Sequence, residues 1–378
     1  MLKLKKIKMS NLKVNLLSLQ DKAKERTVKT QSIEYDLETL VKKIKRGIIK
    51  LDPEYQRRHR WNLGTSSRLI ESLILNIPIP IIYLSQDIDV DTDSEESRYS
   101  VIDGQQRLTA IYQFFSNSFP LEGLKILDDL NECTYKDLPP FLIRRLEERT
   151  IKCLRIDSTI DPQVKIDIFE RLNSGSVVLE AQELRNAVFG GPFNNLCKDL
   201  SKDLSFRSLL QINDKDAEIN SRVKKMEDVE IVLRFFSLIN GNYQNYKKTK
   251  EKGFVDFLSE VMEKNNKLDL KELDALKYEF KITIETIKQY FGDQAFAKYK
   301  EENDSLKIQS KFNVAVFDAL ATSCHDMIFN YKKNRFENKR DKFINLFKDI
   351  EFYESCSGSY LDTSKIKYRI EKTNEILK

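Results

Sequence analysis

The spacing of apolar residues divides the chain into two parts with different predicted architectures. In the first part, Leu37, Leu40, Val41 and Ile44 share one helix face, and Gly47 is a plausible end for that helix. The predicted elements are helices over 37–44 and 66–76, strands over 79–84, 99–102 and 151–156, and a helix that opens at Asp161-Pro162. This alternation of helices and short β-branched runs is typical of a small α+β domain.

The second part of the chain has a helical pattern throughout. All eight prolines lie within the first 192 residues, and none follows Pro192. Because proline interrupts helices, its absence favours long ones. Apolar residues recur at helical spacing, for example at Met226, Val229, Leu233 and Phe236. We therefore predict an α+β fold in three segments: a basic N-terminal arm over 1–30, a small mixed domain over 31–190 and an all-α helical domain over 191–378.

Composition excludes several classes of protein. Charged residues make up 33% and hydrophobic residues 40% of the 378 residues, and no apolar run approaches the ~18 residues of a membrane span. The basic start of the chain lacks the apolar core of a secretory signal. The five cysteines form no C-x-x-C pair, and two histidines are too few for a His-rich metal site. We therefore predict a cytoplasmic protein with no membrane partner.

Positive charge is concentrated at the start of the chain. Residues 1–60 hold 17 Lys or Arg against 7 Asp or Glu, an excess of +10, so the formal net charge of +5 leaves −5 for the remainder. A basic segment of this kind can follow the phosphates of a nucleic acid. Scattered lysines that solvate an N-terminal arm and one helix face explain the same numbers, so both interpretations stay open.

The most informative segment joins a predicted strand to a predicted helix through Asp103-Gly104. Asp103 is expected to cap the helix, Gly104 to let the backbone approach a ligand, and Arg107 to stand beside the first-turn amides. Helix-terminal N–H groups and a guanidinium fork both favour negatively charged oxygen, above all phosphate. The pattern alone leaves a purely structural strand-to-helix corner equally open.

Two further polar clusters favour a ligand site over a purely structural corner. The segment from Pro53 to Trp61 interleaves arginine with aromatic residues, which can contact phosphate and stack on a base. Its alternative is an exposed loop in which Trp61 packs at the edge of the core. The second cluster covers 169–175 and 182–186, where arginine and asparagine stand in place of the lysine and glutamate of an ordinary amphipathic helix.

Together these residues carry a family resemblance. The motifs Tyr55-Gln56-Arg57 with Trp61, Asp103-Gly104-Gln105-Gln106-Arg107, the run over 169–175 and the run over 182–186 resemble those of the DGQQR domain family. That family is similar to the ParB/sulfiredoxin-like superfamily and forms the N-terminal half of GmrSD-type modification-dependent restriction systems. The resemblance is strong over about residues 30–190 and looser in the helical continuation.

The resemblance implies a ParB-like pocket that holds a nucleoside triphosphate with Mg²⁺. Carried over by position, Arg107 would contact phosphate, Asp103 would position Mg²⁺ or its water, and Gln105 and Gln106 would bond the nucleotide or orient the attacking water. These four residues form the implied catalytic set. Other implied nucleotide-binding residues are Tyr55, Gln56, Arg57, Gly104, Arg171 and Asn173, and the implied nucleic-acid contacts are Arg58 and Arg60. Such a site needs neither histidine nor cysteine, because positioning and charge neutralisation supply most phosphoryl-transfer catalysis.

The implied function is an NTP-hydrolysing switch that acts with DNA in restriction or anti-phage defence. GmrSD-like proteins append an HNH nuclease domain, whereas this chain has no histidine between His59 and His325. We therefore expect no HNH centre here and a separate nuclease or methyltransferase as partner. Two alternatives stay open: a DNA-binding adaptor without catalysis, and a ParB-like nicking nuclease that uses Asp103 with a metal ion.

Overall fold

The structure, a computed structural model, describes residues 28–51, 61–86, 99–156, 164–165, 168, 171–172, 180–249, 252–333 and 335–378. The chain divides into two compact units, and the second begins at Glu180. The sequence predicts a boundary near residue 190, about one short helix later. Among the described helices, none is long and apolar enough to cross a membrane.

A mixed five-stranded sheet organises the first unit. Its strands are β1 (Thr30–Asp36), β2 (Ile49–Lys50), β3 (Ile82–Gln86), β4 (Tyr99–Asp103) and β5 (Thr150–Ile156), in the order β1-β5-β3-β4-β2. Strand β3 is parallel to β5 and antiparallel to β4, while β1 is antiparallel to β5 and β2 is parallel to β4. The last residue of β4, Asp103, therefore lies beside Tyr83 at the edge where β3 and β5 begin.

Four helices of the first unit pack their apolar faces into one core. They are α1 (Leu37–Lys45), α2 (Leu63–Ile74), α3 (Gln105–Phe115) and α4 (Pro140–Glu147). The core contains Leu40, Ile70 and Phe114 from the helices together with Ile82 and Ile151 from the strands. Side-chain caps begin the first two helices: Asp36 accepts a hydrogen bond from the Thr39 amide and Asn62 accepts one from the Thr65 amide, each at 2.7 Å.

The α+β prediction is confirmed, with differences at individual elements. The predicted helix over 66–76 begins earlier, at Leu63, because Asn62 caps it. Strands β1 and β2 were not expected. Strand β1 lies at the sheet edge with four of its residues exposed, so it shows no alternation of buried positions. The predicted start of a helix at Asp161-Pro162 lies outside the described residues. Most of the predicted arm over 1–30 lies outside them as well.

The second unit is mainly helical. Its principal helices are α5 (Ala181–Val188), α6 (Pro192–Leu200), α7 (Leu204–Leu209), α8 (Ser221–Lys224), α9 (Glu227–Leu238), α10 (Phe254–Asn265), α11 (Leu270–Phe291), α12 (Val314–His325), α13 (Lys339–Asn345), α14 (Ile350–Ser355) and α15 (Thr363–Leu377). It departs from the all-α expectation at one antiparallel hairpin, β6 (Lys298–Glu302) and β7 (Ser305–Ser310). The two residues between these strands, Asn303 and Asp304, both have positive φ, as a tight hairpin turn requires.

A fully buried charge cluster lies in the interior of the second unit. Asp318 accepts hydrogen bonds from Arg234 Nε at 3.0 Å and from Arg369 Nη2 at 2.7 Å, and Arg234 Nη2 also bonds this carboxylate. Arg369 donates further to the backbone carbonyls of Ser355 and Tyr360. Side chains of all three charged residues are at most 2% exposed. The cluster joins α9, α12 and α15, and removing Asp318 would leave two buried guanidinium groups without their counter-charge.

A second buried cluster surrounds His325 at the end of α12. Its Nε2 lies 2.9 Å from Glu279 Oε2 and its Nδ1 lies 3.4 Å from Asp326 Oδ1. Burial opposes the charged ring, but the hydrogen bonds and charges of Asp326 and Glu279 outweigh it, and the pKa of His325 is raised. A turn of π-helix, Asp326–Asn330, follows directly.

We expect the stability of the second unit to depend on pH through His325. A histidine with a folded-state pKa above its unfolded value of 6.5 stabilises the fold fully below that pH. The contribution is lost as the pH rises through the raised pKa. Urea unfolding followed by far-UV circular dichroism should therefore show a stability gap between wild type and His325→Gln that narrows with rising pH. A gap that widens over this range would contradict the charged state of His325.

We expect Asp318→Asn to destabilise the second unit by about 3–5 kcal/mol, because both buried arginines lose their counter-charge. Thermal unfolding by circular dichroism measures the effect. Asp274→Asn, at an exposed position on α11, is the matched control and should change stability by less than about 0.5 kcal/mol. Equal stability of the two variants would show that the cluster does not hold the unit together.

Candidate functional site: the Asp103–Arg107 corner

The corner between β4 and α3 depends on Gly104. Gly104 has a φ of +98°, a left-handed conformation that residues with a Cβ rarely adopt. A Cβ at this position would also overlap the Cδ1 atom of Ile82 in the neighbouring strand. The glycine is therefore required for the turn and for close packing on β3, and α3 begins immediately after it at Gln105.

Asp103 does not cap α3, in contrast to the sequence-based expectation. The N-cap residue is Gly104, and no side chain caps the helix. Instead, Asp103 Oδ2 accepts a hydrogen bond from Arg107 Nη2 at 2.6 Å. The cap is absent because Asp103 is still part of β4, paired with Tyr83, and the turn to the helix is made one residue later.

Arg107 is turned towards the loop before β3. Its Nη1 donates to the carbonyl oxygen of Pro80 and, at 3.3 Å, to that of Ile81, while Nη2 binds Asp103. The side chain is only 11% exposed. Its charge also reaches the sheet: burial raises the pKa of Cys153 to about 11, and the charge of Arg107 opposes that rise. We call this arrangement of Arg107, Asp103 and the two carbonyls the arginine clamp.

A second arginine holds the other end of the same loop. Arg149 donates to the side-chain oxygen of Asn76 and, at 3.3 Å, to the carbonyl of Ile77. Sequence reasoning missed both loop contacts. The signal that could have indicated them is the Pro78-Ile79-Pro80 run, because proline has no amide for a strand ladder and its neighbouring carbonyls need other donors.

Gln106 links the corner to the chain at Trp61. Its Oε1 accepts a hydrogen bond from the Trp61 amide at 3.3 Å. Its Nε2 is buried and has no hydrogen-bond partner within the described part of the chain. Trp61 itself packs half-buried on the core, which confirms its expected position at the core edge. An amide donor without a partner in a buried position is costly, so it marks a place where a ligand oxygen would be stabilised.

Most predicted residues of the first polar cluster cannot be compared with the corner. Tyr55, Gln56, Arg57, Arg58 and Arg60 lie outside the described residues. The residues on either side of this segment are described, however. Lys50 ends β2, which runs in the direction of β4 towards Asp103, and the chain is described again from Trp61, whose amide contacts Gln106.

The polar cluster over 169–175 and 182–186 is divided between the two units of the chain. Asn173 lies outside the described residues, and Arg171 is an exposed residue in a helical turn, so its contact with nucleotide stays a prediction. Arg185 belongs to the second unit, where it is 1% exposed and binds Glu230 Oε2 at 2.9 Å and Gln182 Oε1 at 2.7 Å. The residues around 182–186 therefore have a structural role within that unit.

The corner contributes little to a metal site by itself. Across the described ranges, no group of three or more His, Cys, Asp or Glu side chains is arranged to hold a metal ion. The one carboxylate of the signature, Asp103, is already paired with Arg107. What the corner offers is a helix N-terminus, whose first amides have no carbonyl within the helix to bind, and the buried amide of Gln106.

Part of the first unit is similar to a known protein family. Residues 37–190 match the family model of the GmrSD restriction endonuclease, N-terminal domain. This confirms the resemblance that the sequence motifs indicate and supports a role in restriction or anti-phage defence. A search of curated proteins found no match to the chain.

We expect Arg107→Lys to destabilise the first unit by about 2 kcal/mol, because one ammonium cannot reproduce a planar fork that binds a carboxylate and two carbonyls. Trp61 is the only tryptophan of the chain, so its fluorescence reports the unfolding of this unit in urea. Arg68→Lys, at an exposed position of α2, is the control. Unchanged stability of Arg107→Lys would show that the arginine clamp does not hold the first unit together.

Proposed function

We propose that the chain is a nucleotide-dependent switch in DNA restriction or anti-phage defence, and that the Asp103–Arg107 corner binds and slowly hydrolyses a nucleoside triphosphate. The observation that carries the proposal is the buried Nε2 of Gln106, which has no hydrogen-bond partner among the described residues, next to the N-terminus of α3. Both are donors, and phosphate is an acceptor with negative charge. The family match over residues 37–190 supports the defence context.

The geometry changes the roles that the resemblance implies. Arg107 and Asp103 satisfy each other, so their charges cancel and leave the helix amides and Gln106 to attract the anion. In this proposal the arginine clamp fixes the corner, and the phosphate contacts come from the first-turn amides and the Gln106 side chain. Gln105 is the first residue of α3. In this proposal its side chain would orient the attacking water.

The described residues do not form a site for Mg²⁺ on their own. Mg²⁺ is usually held by one or two carboxylates together with substrate phosphates. The carboxylate of Asp103 accepts a hydrogen bond from Arg107 at 2.6 Å, which leaves it poorly suited to the ion while the clamp is intact. Asp103 is therefore a poor metal ligand in this geometry, which disfavours a nicking nuclease that relies on it. Strand cleavage would be the task of a separate nuclease.

We expect Gln106→Glu to weaken binding of ATP, GTP, CTP or UTP at least about 10-fold, whichever of them the wild type binds. The substitution keeps an oxygen for the Trp61 amide but replaces the Nε2 donor with a repelling charge, and a hydrogen bond to a charged group contributes about 1.5–3 kcal/mol. Isothermal titration calorimetry with each nucleotide measures binding, and release of radiolabelled phosphate measures hydrolysis.

Gln113→Glu is the matched control, because Gln113 lies two turns further along the same helix. It should bind nucleotide as the wild type does, and both variants are first compared by thermal unfolding. If no nucleotide binds to the wild type, or if Gln106→Glu binds as tightly as Gln113→Glu, the proposed site is wrong.

A further inference from the structure

An open, positively charged groove lies in the second unit, outside the segment that the family model covers. Its volume is about 810 Å³, and it is lined by Tyr290, Lys332, Lys333, Arg335 and Glu337. We call it the basic groove. The surrounding sequence is strongly basic, since positions 332–342 hold six Lys or Arg against two acidic residues.

Two lysines of this region have structural roles that fix the wall of the groove. Lys333 Nζ donates to the backbone oxygens of Leu377 at 2.8 Å and Lys378 at 2.6 Å, and Lys339 Nζ donates to that of Ile376 at 2.7 Å. These oxygens belong to the C-terminal end of α15, where carbonyls lack partners within the helix. These contacts hold Lys333 and Lys339 against the end of α15.

Other cations of the region do not take part in such contacts within the described ranges. Lys332, Arg335 and Lys342 are exposed and take part in no ion pair within the described ranges of the chain. The crowding of positive charge is also visible at Lys339, whose pKa is lowered by burial first and then by the charges of Lys333 and Lys342. A bound polyanion would relieve this repulsion.

The shape of the groove favours a polymer over a single small ligand. It is open to solvent, and its aromatic wall is Tyr290, half-buried near the end of α11, whose ring packs against Phe336 at a centroid distance of 5.8 Å. Binding sites for small molecules are instead usually enclosed and mostly apolar. Separate cations along an open surface are typical of contacts to a nucleic-acid backbone, which carries one negative charge per about 1.7 Å of duplex axis.

We propose that the basic groove binds the phosphate backbone of duplex DNA, with Lys332 and Arg335 as the principal phosphate contacts. The choice of DNA among polyanions rests on the proposed role in restriction. Glu337, the one carboxylate in the lining, keeps the groove from being uniformly positive. Contacts of this kind position a protein on DNA and carry no sequence information.

The test measures DNA binding of the full chain by fluorescence anisotropy, with a labelled duplex of about 20 base pairs, between about 50 and 200 mM salt. The variant Lys332→Asn with Arg335→Gln removes two cations. Asparagine is chosen because Lys332 has a φ of +53°, a conformation that asparagine tolerates. We expect Kd near 100 mM salt to rise about 10-fold or more, and the slope of log K against log salt to become shallower by about 2.

The control variant Lys271→Gln with Lys277→Gln removes the same charge from exposed positions on α11, at least about 20 Å along the helix from Tyr290. It should bind DNA nearly as the wild type does. No binding by the wild type, an unchanged groove variant, or an equal loss in the control would overturn the proposal. Nucleotide binding is measured on the same preparations. A chain that binds duplex through the groove but binds no nucleotide supports this inference and overturns only the proposed nucleotide site.

Discussion

The arginine clamp is the interaction on which the geometry of the first unit depends. One guanidinium joins the end of β4, through Asp103, to the start of β3, through the carbonyls of Pro80 and Ile81. In the turn between β4 and α3, a Cβ at Gly104 would overlap the Ile82 side chain. Strand, turn and helix are therefore fixed relative to one another, and the N-terminus of α3 is held in place without a side-chain cap.

The interior of the second unit contains the same kind of interaction, an arginine bonded to a carboxylate and to backbone carbonyls. Arg369 binds the carboxylate of Asp318 and two backbone carbonyls, as Arg107 does at the corner. Arg185, Arg234 and Arg369 are among the largest fully buried side chains of the chain. A planar fork with five donors can satisfy a carboxylate and carbonyls together, which an ammonium cannot do. Arginine therefore stabilises the interior, while exposed lysine and arginine are available to phosphate.

The sequence indicated the location of the corner but not its internal contacts. Local patterns showed the α1 helix, the strand before Asp103 and the need for glycine, because these depend on neighbouring residues. The carbonyl partners of Arg107 belong to Pro80 and Ile81, which are 27 and 26 residues earlier in the sequence. Local spacing of apolar residues does not indicate contacts over such a separation. Edge strand β1 and the hairpin of the second unit were missed because exposed strands lack an apolar alternation. The signature consequently suggested a free Arg107, whereas the fold binds it.

A nucleotide bound at the corner would lie next to Gln106 and close to Trp61, whose amide contacts Gln106. The most direct measurement is the fluorescence of Trp61, the only tryptophan of the chain, during titration with each nucleoside triphosphate and Mg²⁺. We expect a saturable change in wild type with the same Kd as calorimetry gives; Gln106→Glu should shift the midpoint to at least about 10-fold higher concentration, and Gln113→Glu should leave it unchanged. Nucleotide binding that leaves Trp61 fluorescence unchanged, or the same titration curve in wild type and Gln106→Glu, would contradict binding at the corner.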